Sequence, residues 1–144
     1  MIQENSLAII EKDKVIIKPD GVSLFSDQVH YWVNFFGLTD WCVLVVDENE
    51  PGQENPVAKL NTNCQGRSAT ITFYTEWLTD VYSLELAEEQ IRSTAYHEAV
   101  HLVLADLRDL ANSRQFSFDE YYKAEESAVR RFENSFYKFW KERT

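Results

Sequence analysis

The sequence predicts an α+β domain, in which a small antiparallel or mixed sheet packs on a long helix and on a further helix at the C-terminal end. Residues 41–46 form a continuous apolar run and residues 68–75 alternate with strong β propensity, both of strand length. Residues 84–115 hold no Gly or Pro and are rich in helix formers. Ser117-Phe118-Asp119-Glu120 has the form of a capping box and opens a last helix. With 144 residues, 44 % hydrophobic and 26 % charged, and only 4 Gly and 3 Pro, the chain is expected to fold as one domain over residues 1–144. Collagen-like, linker-like and disordered classes are excluded by the same composition.

Residues 6–18 are short β-branched runs broken by charges, and Pro19-Asp20-Gly21 reads as a turn. Val29, Trp32, Val33, Phe36 and Leu38 recur at helical spacing behind a Ser26-Asp27 cap, predicting an amphipathic helix that ends near Gly37. The strand at 41–46 is followed by a polar stretch, 47–56, with the composition of an exposed loop, and 57–60 is read as a brief second strand. The 84–115 segment is read as one unbroken helix, apolar on more than one face and therefore central. The last helix runs from Ser117 toward Lys141.

The charge is uneven. Residues 1–100 carry 16 acids and 6 bases, whereas 101–144 carry 8 of each, within a net charge of −10. An acidic surface repels phosphate backbones and anionic lipid, so no direct nucleic-acid or membrane partner is expected. The two cysteines, Cys42 and Cys64, are too few for a disulfide framework. The first residues lack a signal-peptide pattern, and no apolar run approaches the ~18–20 residues of a membrane span. A cytoplasmic location is the expectation.

Inside the long helix lies His97-Glu98-Ala99-Val100-His101. Four residues is just over one turn, so both imidazoles share one face and can grip one metal ion. Glu98 lies further round the helix, suited to a water at the metal's open position and not to ligation. This is the arrangement of a zinc hydrolase, and a chance match is expected on the order of once in a few hundred chains of this size. The remaining histidine, His30, reads as a structural or surface residue.

Two histidines leave tetrahedral zinc short of one protein ligand. No histidine follows His101, which excludes the extended motif with a third downstream histidine and points to a carboxylate. On the last helix Val129, Phe132, Phe136 and Phe139 form an apolar stripe, and one turn back from Val129 stands Glu125 on that same face. Glu126 lies about 100° further round. Glu125 is the first candidate for the third ligand and Glu126 the alternative.

A strand at 69–74, a helix with His97-Glu98-x-x-His101 and a helix with Glu125-Glu126-Ser127-Ala128-Val129 together resemble the short gluzincin-type metallopeptidases. The likeness is greatest to metallopeptidases encoded by tailed phages and prophages, and more distant to the ImmA/IrrE-type and SprT-like domains. It spans roughly residues 40–140. The Ala-Asn-x-Phe-Ala run that follows the third ligand in ImmA/IrrE-type domains is absent. The resemblance implies a minimal zincin-like fold, Zn2+ as cofactor, His97 and His101 as ligands, Glu98 as catalytic base, and a peptide or protein substrate. For a phage-encoded protein the compartment would be the host cytoplasm. By the same similarity, 69–75 is the edge strand that pairs with substrate. The alternative is a non-catalytic regulatory or binding protein with a structural or vestigial zinc site, using the aromatic-rich last helix as its contact surface.

Overall fold

The computed structural model describes residues 3–50, 57–79, 82–113 and 117–143. The chain opens with β1 (Gln3–Glu4), β2 (Ala8–Glu11) and β3 (Lys14–Ile17), which pair antiparallel in sequence order, and β7 (Glu76–Leu78) completes this first sheet against β3. Lys12, at φ 56°, makes the tight turn between β2 and β3. Val15 and Ile17 point into the core.

Pro19-Asp20-Gly21 is not a turn but the opening of α1 (Pro19–Phe35). The fixed φ of proline suits a first helical position, and Asp20 sits where the helix dipole favours an acid. The helix therefore starts about two turns before the Ser26-Asp27 cap expected from sequence. Gly21, Phe25, Val29 and Val33 form its buried face. It ends where the sequence predicts, with Gly37 in the left-handed region at φ 67° and the Leu38 N–H donating to Val33 O at 2.9 Å.

The second sheet is mixed. β4 (Cys42–Glu48) runs parallel to β6 (Ser68–Tyr74), and β5 (Ala58–Asn63) pairs antiparallel with β6 on its other side, giving the order β4-β6-β5. Ala69, Ile71 and Phe73 alternate along β6 into the core, where Phe73 stacks on Phe25 of α1 at 4.2 Å. Thr75 joins the two sheets: its N–H donates to Glu48 O, and its carbonyl accepts from the Ile17 N–H at 2.7 Å.

The long helix expected over 84–115 is two helices, α2 (Ala87–Val103) and α3 (Ala105–Ala111). Leu104 breaks the run at φ −93°, ψ 4°, its N–H shared between the carbonyls of Val100 and His101. Contacts from far along the chain hold α3 in its new direction. Arg67, in the turn after β5, donates to Asp106 at 2.6 Å, and Cys64 donates to Ala105 O at 3.6 Å. The buried residues of α2 form one stripe, Ala87, Ile91, Thr94, Ala95, Glu98, Ala99, Leu102 and Val103, and not several faces. Its small side chains allow α1 to pack closely.

Ser117 Oγ accepts from the Glu120 N–H at 3.4 Å and caps α4 (Phe118–Phe132), as the sequence predicts. A π-helical turn (Glu133–Tyr137) and α5 (Lys138–Arg143) continue it. The apolar stripe of this helix is rotated from the expected one. Ala128 and Ser135 are its buried residues, Phe132 is half-buried, and Val129 is exposed. Phe136 and Phe139 meet the ring of Phe35 at 5.5 and 5.9 Å, so α1 and the C-terminal helices share an aromatic layer. Cys42 and Cys64 are free thiols. Among the described residues no helix is long and apolar enough to cross a membrane.

Candidate metal centre

His97 and His101 lie on consecutive turns of α2, on its exposed side next to the buried stripe. Their Nε2 atoms are 3.0 Å apart and the rings meet edge to face at 4.6 Å. Two nitrogens bound to one tetrahedral zinc at ~2.0–2.1 Å stand about 3.3 Å from each other, so this pair has the spacing of two ligands of one ion. Burial, then the charges of His97 and Arg108, hold the His101 imidazole below its ordinary pKa, toward the neutral form that ligates.

Glu98 falls within the stripe and is only 6 % exposed. No hydrogen bond or ion pair to its carboxylate occurs among the described residues. Burial pushes this carboxyl above its ordinary pKa, against the opposing pull of His97. An acidic group in this position is matched to exchanging a proton near neutral pH. His97 and Glu98 line a cleft of about 380 Å³ between α2 and the start of β5, with Val57, Ala58, Tyr82 and Thr94 among its walls. Gln90 and Thr94, hydrogen-bonded to each other at 3.1 Å, line it one and two turns before His97. Sequence reasoning missed them, although their spacing from His97 was a usable signal.

The strand nominated to pair with substrate is corrected by the sheet order. β6 is the central strand, bonded to β4 on one side and β5 on the other, and has no free edge. The edge beside α2 is β5, whose first residues wall the cleft.

The acidic pair on α4 also differs from expectation. Glu125 is exposed and not on the buried face, because the stripe follows Ala128 rather than Val129. Glu126 is half-buried, pairs with Arg130 at 3.8 Å, and lines a separate cleft with Phe36 and Gly37 at the end of α1. Among the described residues no group of three His, Cys, Asp or Glu side chains comes together. The structure thus assembles two ligands and the base, but not the third ligand. His30 is exposed on α1, as expected, and Asp106 is taken by Arg67. Tyr96 belongs to the aromatic layer, edge-on to Trp32 at 4.9 Å. The chain matches no protein-family model, no curated protein and no solved structure.

Proposed function

We propose that this chain is a zinc-dependent metallopeptidase. The observation that carries the proposal is the juxtaposition of the facing His97 and His101 nitrogens with the buried, unpartnered Glu98 carboxylate at one cleft beside a free strand edge. Zinc held there would supply a water acidified toward neutral pH and a polarised scissile carbonyl. Glu98 takes the proton of the attacking water and returns it to the leaving amine. The β5 edge orients an extended peptide through main-chain hydrogen bonds, with Val57 and Ala58 against its side chains.

For the third ligand we favour Glu125 over Glu126. The first turns of α4 lie against α3, where Glu120 and Lys123 share a cleft with Asp106 and Asp109. Beyond its end, Phe136 packs on Tyr96, and Phe36 bridges Tyr96 to Phe132. α4 therefore runs back alongside α2. Glu125 shares a helix face with Phe132, seven residues and about two turns further on, and is carried toward the His101 end of α2. Glu126 faces elsewhere and already has Arg130.

Metal content of the purified protein tests the reading. About one zinc per chain is expected, lost in His101→Ala and Glu125→Ala and kept in Glu126→Ala and Glu98→Gln, with peptide hydrolysis lost in Glu98→Gln. Absence of bound zinc after incubation with the metal would overturn it. The exposed Tyr137 and Trp140, stacked at 6.0 Å on the last helix, would then become the place to seek a binding function.

A further inference from the structure

Beside the His97 and Glu98 cleft, on the other flank of α2, lies a groove of about 580 Å³ between α1 and the start of α2. Ser93, small and exposed, lines both and forms the saddle between them. The floor of the groove is aromatic, made by Trp32 and Tyr96 meeting edge to face at 4.9 Å, and its rim is acidic. Arg92 neutralises Glu88 at 3.0 Å, which leaves Glu85 and Glu89 without a cation partner among the described residues. These two carboxylates stand four residues apart and repel each other, an arrangement that a cation between them relieves. Attraction to the helix dipole accounts for acids at the start of α2, but not for their standing over a pair of aromatic faces that favour a cation as well. The cleft across the saddle is itself built to receive a ligand, since Glu98 is nine-tenths buried, points into it and has no partner.

We propose that this groove is a specificity subsite that selects a Lys or Arg side chain of the peptide lying in the His97 and Glu98 cleft, an inference that rests on the peptidase reading. Glu89 precedes His97 by eight residues, about 12 Å along the helix. An extended chain covers that distance in three to four residues, so the selected side chain stands three or four positions from the scissile bond. The stem of a lysine or arginine lies along Trp32 and Tyr96 while its charge reaches Glu85 and Glu89.

The test uses the Glu98→Gln protein, so that binding is read without turnover. Two fluorescent octapeptide pools, identical except for lysine or norleucine at one position, are titrated by anisotropy. The lysine pool is expected to bind about tenfold more tightly, and the ratio is expected to fall near one in Glu85→Gln/Glu89→Gln. Raising salt from about 50 to about 500 mM should shrink the same preference in the unsubstituted groove, a readout that needs no variant at the groove to fold. Equal binding of the two pools, or a lysine preference that survives the double substitution, would overturn the subsite. Cleavage of the pools by the protein with Glu98 intact is read separately. Hydrolysis without lysine preference removes the subsite and leaves the peptidase, whereas lysine-selective binding without hydrolysis removes the peptidase and leaves a basic-peptide site.

Discussion

A buried carboxyl group without a partner destabilises a fold, and Glu98 is held in that state on the stripe that packs α2 into the molecule. Replacing it by glutamine keeps the shape and removes the charge. Glu98→Gln is therefore expected to raise the melting temperature of the metal-free protein by about 2–4 °C, corresponding to roughly 1 kcal/mol, while lowering peptide hydrolysis about 10²- to 10⁴-fold. Calorimetry and a peptide-cleavage assay on the same preparation check both halves, and a lower melting temperature would mean that the carboxylate has a stabilising role. Gly21 is limiting for a different reason. A Cβ there would stand 2.5 Å from Ile17 Cγ2 and 2.8 Å from the Leu7 carbonyl oxygen, which is backbone and cannot swing away. Gly21→Ala is expected to cost about 1–3 kcal/mol in denaturant unfolding, through separation of α1 from the first sheet.

Between elements, one ionic cluster does most of the tying. Asp40, in the connection from α1 to β4, binds both Arg67 after β5 and Arg131 on α4, while Arg67 reaches on to Asp106 of α3 and lies over the Trp41 ring at 4.2 Å. Arg131 also donates to Gly37 O at the end of α1. Burial works to raise the Asp40 pKa, but its bonds to Arg67 and the charges of Arg131 and Arg67 outweigh burial and hold it below the model value of 3.8. The folded carboxyl is thus more acidic than the unfolded one. Its contribution is fully present above pH ~4 and is lost as pH falls through the lower folded value. Asp40→Asn is expected to cost about 1 kcal/mol or less at pH 7, since Asp40 is substantially exposed, and to remove part of the wild-type loss of stability between about pH 4 and pH 2 in urea titrations. This cluster was not legible in the sequence, because its members come from four segments and local pattern carries no pairing information. The same limit explains the break at Leu104, where contacts from Cys64 and Arg67 override a run of good helix formers. It also explains the first sheet, whose strands are short and include β7, which follows β3 by about sixty residues. What periodicity carries was legible: the ends of α1 and α4 marked by Gly37 and Ser117, the cores of β4 and β6, and the spacing that brings His97 and His101 together. The phase of the last helix was misread because Val129 and Ala128 both fit an apolar stripe at this spacing, and only packing against α1 decides that the smaller residue faces inward.

At the scale of the whole molecule, the proposed ligands come from two helices that meet mainly through rings: His97 and His101 on α2, and Glu125 on α4, joined by the layer of Phe36, Tyr96, Phe132 and Phe136. An ion that binds the folded chain and not the unfolded one stabilises it by mass action, by about 2.7 kcal/mol when free zinc stands a hundredfold above its dissociation constant. For a chain of this length that corresponds to a rise of roughly 8 °C in melting temperature. The full rise is expected in the wild type and in Glu126→Ala, since Glu126 faces the α1 cleft and Arg130. A smaller rise is expected in Glu125→Ala, which leaves the two histidines but unties α4 from α2, and none in His101→Ala. Hydrogen exchange locates the effect as well as its size. Zinc should slow exchange in both α2 and α4 of the wild type but only in α2 of Glu125→Ala, because the ion then no longer links the two helices. Equal stabilisation of wild type and His101→Ala by zinc would mean that the ion binds elsewhere on this acidic chain, and the facing histidines would lose their claim to be its site.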